Sequence, residues 1–311
     1  MIIQPRTTQS VPWYVDLDSV KLTDLQSLIA NEYPKFENPT LSFRFRLDNH
    51  ITEEPSNDQH LQHLLRRLVI QDQMTVKVTV TTPAKPYSDW TMSSVRRLFG
   101  LGESDRFPPF SCGTISPTKP SLEQLRRELK LRTENTPIDE QSPEASRSLY
   151  TYSYLLAAVD NFKQKFIILP EQRVDGPYGV GLVDYMITSI STSEIVGVTE
   201  VKKDDVSQGI AQCVVQLQSV ITRKRKVDEE EQESPRTAFG IVTDAEKFFF
   251  LKCVDNEGKT TLEMSKRVII DYNAENWEDQ VNPILGNIVW LLAEAQKSPS
   301  NSPRETKRLK I

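Results

Sequence analysis

The sequence predicts an α+β fold in two domains, and three observations carry that expectation. Apolar residues alternate with a period of two in some segments and recur at helical spacing in others, in both halves of the chain. Residues 103–120 are rich in Ser, Pro and Gly and lose all periodicity, which marks a linker. Beyond it the elements follow in the order helix, three strands, helix, further strands. The expected organisation is a first domain over 1–102, a linker over 103–120, a second domain over 121–297 and a disordered basic tail over 298–311.

In the first domain, Trp13, Val15 and Leu17 alternate as a half-buried strand. TDLQSLIANEY then forms a short helix, with Thr23 or Asp24 as its cap and Leu25, Leu28 and Ile29 as its apolar stripe. Leu41, Phe43 and Phe45 alternate as a strand, His60–Val69 is helical, and MTVKVTVTT alternates again. SDWTMSSVRRLFGLG carries Trp90, Val95, Leu98 and Phe99 at helical spacing, stops at Gly100, and is expected to pack on this domain.

The second domain begins with a charged helix, SLEQLRRELKLR. In SPEASRSLYTYSYLLAAV, Ser142 can cap, Pro143 fits the first helical position, and Ala145, Leu149, Tyr152, Leu156 and Val159 form the expected apolar face. Strands follow at Phe166–Leu169, LVDYMITSI and EIVGVTEV, the Gly/Pro loop GPYGVG preceding the second. A helix runs from about Asp205 to Ile221, AFGIVTD and FFFLKCV form a hairpin, TLEMSKRVII gives a further strand, and Pro283–Ala295 gives a closing helix.

Composition narrows the function. With 38 basic against 43 acidic side chains, the whole molecule offers phosphate no attraction, so nucleic-acid contacts must come from local patches. Cys112, Cys213 and Cys253 lie far apart without CxxC pairing, which argues against a disulfide framework or a cysteine-rich zinc site and for a reducing compartment. The start, MIIQPRTTQSVPW, has no apolar signal core, and no apolar stretch is long enough to span a bilayer, so neither secretion nor membrane attachment is expected. No Walker-type loop, dinucleotide-binding glycine motif or kinase motif set is present. His50, His60 and His63 read as surface histidines.

The chemistry concentrates on IVGVTEVKK. Side chains alternate faces along a strand, so Glu200 and Lys202 share one face while Thr199 and Val201 share the other. Asp184 sits on the preceding strand, and a short turn through Ser191–Ser193 lays the two strands side by side, bringing a second carboxylate within reach. Two carboxylates with waters and phosphate oxygens suit a hard ion such as Mg²⁺ or Mn²⁺. Such an ion activates water and neutralises phosphodiester charge, and Lys202 would orient the water or stabilise the transition state. Glu144, at the start of a helix, is a candidate third metal ligand beside Asp184 and Glu200. Taken alone, E-x-K is an unspecific pattern, and the plain alternative is a buried ion pair, Glu200–Lys202 or Asp184–Lys202.

On the next helix Ile210, Val214, Leu217 and Ile221 mark the core side, while Gln208, Gln212 and Gln216 form an opposite stripe of amides. Amides donate hydrogen bonds without competing for a metal, so Gln212 is a candidate catalytic residue. Gln208 and Gln216, with Lys203, are candidate nucleic-acid contacts.

These residues carry a resemblance. VDY, E-x-K, KDDVSQGIAQCVVQL and FGIVTDAEKFFFL together resemble the PD-(D/E)XK nuclease-like domain of fungal Crinkler-related proteins, over roughly the second half of the chain. Glu144, Asp184, Glu200, Lys202 and Gln212 fall in the order of that pattern; Val183 replaces the proline that names it, which leaves the metal ligand in place. The first domain is similar to the ubiquitin-like header of Crinkler proteins through WYVDLD, TDLQSLI and KPYSDW. The resemblance implies a ubiquitin-like N-terminal domain followed by a restriction-endonuclease-like α/β core, and a Mg²⁺-dependent nuclease acting on DNA rather than RNA. The alternative is a nuclease fold that binds nucleic acid or protein without cutting, with a protein partner at the first domain.

Two basic clusters point to the nucleus. Arg223, Lys224, Arg225 and Lys226 lie just past the glutamine helix, in what reads as a loop, and can serve as an import signal or a phosphate patch. Lys307, Arg308 and Lys310 lie in the Ser/Pro-rich tail.

Overall fold

A computed structural model of the protein describes residues 11–32, 42–46, 52–73, 75, 77–81, 84–102, 106–227, 236–256 and 259–297, without the side chains of 30, 32, 79–81, 223–227 and 259. The expected contributions of Leu41, His50 and the tail cluster fall outside the described residues. The chain divides into two compact units, 1–84 and 85–311.

The first unit is a small α+β body: α1 (Leu22–Glu32), β1 (Ser42–Arg46), β2 (Thr52–Glu53), α2 (Asp58–Ile70) and β3 (Lys77–Thr81). Its antiparallel sheet has the order β2-β1-β3. Phe43 and Phe45, two apart on β1, both enter a core with Leu25 and with Leu61, Leu64 and Leu68 of α2. Asn57 caps α2 by accepting the His60 N–H at 2.8 Å, and the Asp58 carboxylate accepts the Leu22 N–H at 2.9 Å, tying the two helix starts together. The alternation over Trp13, Val15 and Leu17 survives as half-buried side chains between exposed neighbours, but this segment joins no sheet among the described residues. The strand expected there does not form among the described residues. At α1, the Asp24 carboxylate accepts the Lys21 N–H at 2.8 Å.

The second unit begins earlier than periodicity suggested. β4 (Lys85–Pro86) pairs in parallel with the start of β6, a 3-10 turn follows at Tyr87–Asp89, and α3 (Met92–Phe99) ends at Gly100, whose φ of 67° closes the helix in the left-handed region. The chain continues through α4 (Lys119–Asn135), α5 (Glu144–Asp160), β5 (Phe166–Asp175), β6 (Gly179–Ser189) and β7 (Ile195–Val201). It closes with α6 (Val206–Val227), β8 (Arg236–Thr243), β9 (Lys247–Asn256), β10 (Lys259–Met264), β11 (Val268–Ile269) and α7 (Trp277–Lys297). The sheet order is β10-β9-β8-β7-β6-β4, with β5 also on β6 and β11 on β9. β7 runs antiparallel to β6 and parallel to β8, with α6 as the crossover, and all seven of its residues are buried.

Two apolar layers sandwich this sheet. One holds α6 with Tyr87, Trp90, Val95 and Phe107; the other holds α4, α5 and α7. Residues 85–102 therefore belong to the second unit rather than the first, because Tyr87 donates to the Val174 carbonyl (2.9 Å), Trp90 donates to the Tyr178 carbonyl (3.2 Å), and α3 lies along α6. The stretch read as a linker is also pinned here. Phe107 and Phe110 are buried, the Phe110 N–H donates to Met264 O (2.9 Å), and the Ile115 N–H donates to Gly286 O (3.1 Å).

Four further expectations are corrected. Helix α5 turns Arg147, Tyr150, Thr151 and Tyr154 inward and leaves Leu149 and Leu156 exposed, because tyrosine hydroxyls find partners inside: Tyr150 on Thr136 O (3.0 Å) and Tyr272 on both Tyr154 and Ala245 O. Pro143 is the residue before the helix, and Ser142 bonds Asp139 rather than capping. Helix α6 continues to Val227, so the basic run is helical rather than a loop. TLEMSKRVII divides between β10 and β11.

Candidate active site

The site forms where β6 and β7 part. Their pairing ends at Tyr185 opposite Thr199, and one step further the Asp184 carboxylate accepts the Val201 N–H at 2.6 Å in place of a strand partner. Strand β7 then presents Glu200 and, just past its end, Lys202 on one face, as the alternation requires. The Lys202 ammonium lies 2.8 Å from Glu200 Oε1 and 3.5 Å from Glu144 Oε1. Helix α6 comes close because residue 209 is glycine: a Cβ there would stand 2.8 Å from Lys202 Cγ and 2.9 Å from Val242 Cγ1.

Electrostatics follow from burial. Glu200 is almost fully enclosed, and burial together with the neighbouring Asp184 charge lifts its pKa to about 7, against the pull of Lys202. Burial also raises Asp184, opposed by the Val201 N–H and Lys202 and reinforced by Glu144 and Glu171. Burial disfavours the Lys202 ammonium, but Glu200, Glu144 and Asp184 outweigh it and its pKa is raised. Two buried carboxylates, one of which (Asp184) penalises the ionisation of the other (Glu200), form a donor set that a hard cation with water ligands would relieve, so the residues fit Mg²⁺. Glu144 does not complete a three-carboxylate cage: among the described residues no three His, Cys, Asp or Glu side chains gather as a metal cluster, and Glu144 lies across Lys202 instead.

The glutamine stripe is not a solvated ridge. Gln216 is wholly buried and donates to Glu200 Oε2 at 2.7 Å, so it, rather than Gln212, holds the β7 carboxylate. Gln212, one turn earlier, is also buried, and its Oε1 finds no hydrogen-bond partner among the described residues. Gln208 donates to the Ser88 carbonyl at 2.8 Å, a tie to the β4–α3 segment. The causes differ: Gln208 meets that segment, whereas Gln216 lies on the side of α6 that faces the sheet, where Glu200 stands. Lys203 stands beside the site, 4.0 Å from Asp204 and about one-third exposed. The side chains of Arg223, Lys224, Arg225 and Lys226 lie outside the described residues.

Sequence reasoning missed Arg147 and Glu171. Arg147 is a charged residue on the inner face of α5, buried with its head on backbone carbonyls. Glu171 holds φ at 48°, between the pairs Pro170–Tyr185 and Gln172–Val183, which places it across from Asp184. A glutamate in a strand-like run carries no sequence mark of a left-handed backbone.

No protein-family model matches the chain. The chain is 43% identical over 326 residues to Crinkler effector protein 1 of Rhizophagus irregularis, a match that takes in 100% of this chain and 69% of that protein. Among the described residues no helix is long and apolar enough to cross a membrane.

Proposed function

The chain belongs to the Crinkler family, and from that premise we propose that its second unit is a Mg²⁺-dependent nuclease of PD-(D/E)XK type that hydrolyses phosphodiester bonds in DNA. The observation that carries this reading is the buried Glu200 beside Asp184, with its pKa lifted to about 7 and Lys202 2.8 Å away. A purely structural carboxylate in such surroundings costs stability, whereas a metal ligand recovers it on loading.

Asp184 and Glu200 would hold Mg²⁺ or Mn²⁺, which supplies charge neutralisation at the phosphate and an acidified water. Gln216 fixes one Glu200 oxygen and leaves the carboxylate a single orientation. Lys202 is placed to neutralise the negative charge that develops on the phosphate. Glu144, on the far side of Lys202, holds the ammonium until a phosphate competes for it.

The test is cleavage of DNA and RNA by the purified full chain in Mg²⁺ or Mn²⁺. Asp184→Asn and Glu200→Gln abolish cleavage and weaken metal binding; Lys202→Ala keeps metal binding and lowers turnover by a factor on the order of a hundred. Absence of cleavage of both polymers by the wild-type chain refutes the nuclease.

A second reading is favoured by one specific observation: Lys202 pairs with Glu200 and Glu144 while Gln216 occupies the other Glu200 oxygen, so these charges satisfy one another. On that reading the domain binds nucleic acid or a protein without cutting it. The first unit we assign as a ubiquitin-like header that takes a protein partner. We assign the protein to the nucleus on the basic runs Arg223–Lys226 and Lys307–Arg308; their replacement by Ala should move a tagged chain to the cytoplasm, and unchanged nuclear signal refutes the import role.

A further inference from the structure

Among the described residues of the second unit Arg147 is the most enclosed cation, with 3% of its surface exposed, yet among them it forms a single ion pair, with Glu246. Its Nη1 donates to the Asp244 carbonyl at 2.7 Å and its Nη2 to the Asp139 carbonyl at 2.6 Å, while the Glu246 carboxylate stands 3.3 Å from Nη1. Burying a guanidinium for two carbonyls and one partly exposed carboxylate is expensive, and the three partners come from different segments. Asp139 precedes α5, while Asp244 and Glu246 form the turn between β8 and β9.

Both segments lead to the site. Glu144 lies three residues before Arg147, hence on the same side of α5, and its carboxylate reaches Lys202 at 3.5 Å. Thr243, next to Asp244, accepts the Lys202 backbone N–H at 2.9 Å. The same turn is stiffened by the Asp244 carboxylate, which accepts the N–H groups of Glu246 (3.0 Å) and Lys247 (2.6 Å). Through one planar head, Arg147 thus grips the approach to the helix that carries Glu144 and the turn that receives Lys202.

We infer that Arg147 is a positioning residue of the site, clamping the start of α5 to the β8–β9 turn so that Glu144 and the Lys202 ammonium meet. It touches no reacting atom and acts through that pair. As a role in catalysis the inference rests on the nuclease reading; as a statement about geometry it does not. Lysine cannot replace the fork, because a single ammonium on a flexible stem does not bridge two carbonyls held by a rigid plane.

The experiment is a double-mutant cycle on the full chain with Arg147→Lys, Glu144→Gln and both together. Amine labelling by acetic anhydride, resolved lysine by lysine in a mass spectrometer, reports how well Lys202 is held. Lys202 should label several-fold faster in Glu144→Gln, equally faster in Arg147→Lys, and no faster in the double variant, since both changes break one contact. A structural bolt elsewhere in the fold gives a different result: Lys202 labelling unchanged in Arg147→Lys, or two effects that multiply, and either overturns the inference. Should Arg147→Lys not fold, Glu246→Gln removes only the 3.3 Å ion pair and keeps both carbonyl bonds; a smaller acceleration of Lys202 labelling supports the clamp, and wild-type labelling overturns it. Cleavage is measured in parallel. A chain that cuts nothing while the cycle closes as expected removes the nuclease reading and leaves the clamp.

Discussion

Replacing Glu200 by Gln should change how the stability of the second unit depends on pH, and the size of the change follows from the site. The Glu200 carboxyl moves from 4.5 to about 7 on folding, because burial and Asp184 penalise its charge more than Lys202 rewards it. A carboxyl whose folded pKa is raised holds its proton more tightly in the native state. Its stabilising contribution is complete below pH 4.5 and is lost as pH rises through 7. At about 1.4 kcal/mol per pH unit, that interval corresponds to roughly 3 kcal/mol. Gln has nearly the same shape and never ionises, so Glu200→Gln should be flatter over this range. The assay is urea unfolding of both chains at intervals from acid to mildly alkaline pH, read as the difference between their stabilities. Saturating Mg²⁺ should flatten the wild-type profile in the same way, since a cation bound at Glu200 favours the ionised form. Two profiles that stay parallel across the window would refute the electrostatic account of the site.

Trp90→Ala should destabilise the second unit by about 3 kcal/mol, as expected for truncating an enclosed aromatic side chain, although sequence periodicity assigns Trp90 to the first domain; a melting transition confined to the second unit checks this. Gly209→Ala should destabilise despite a helix-propensity gain of about 1 kcal/mol, because its Cβ would meet Lys202 and Val242 below 3 Å and overpacking costs about 1–3 kcal/mol. Thermal denaturation measures the loss, and an unchanged or raised melting temperature would contradict the close approach of α6.

The strand-borne part of the site was legible because strand alternation is geometric: Glu200 and Lys202 had to share a face, and Asp184 had to lie on the adjoining strand. Glu144 was found as a carboxylate near the site, although it grips the lysine rather than joining a metal cage. Faces of helices were harder to read. In α5 the apolar letters Leu149 and Leu156 lost to Tyr150 and Tyr154, because a tyrosine buries more area than a leucine and here its hydroxyl finds a partner. In α6 the glutamines read as a stripe opposite the core because amphipathic patterning counts apolar letters only; Gln216 in fact lies on the sheet side against Glu200, and Gln208 meets the β4–α3 segment. That segment was itself misplaced, since a helical stripe tells that a face is buried but not against which core.

The parallel pairing of β7 with β8 has a consequence for the order of assembly. Strands β5, β6 and β7 form a meander joined by short turns, so their ladder closes small loops and brings Asp184 and Glu200 together early. Pairing β7 with β8 must wait for the whole of α6 and the residues after it to be spanned. Thr243, which accepts the Lys202 N–H, and Asp244, which accepts from Arg147, both arrive with that later step. During refolding the two carboxylates should therefore be neighbours before the lysine is fixed beside them. A divalent cation would find this intermediate a more open and more negative host than the native site, so Mg²⁺ added at the start of refolding should act on the folding rate as well as on the final stability.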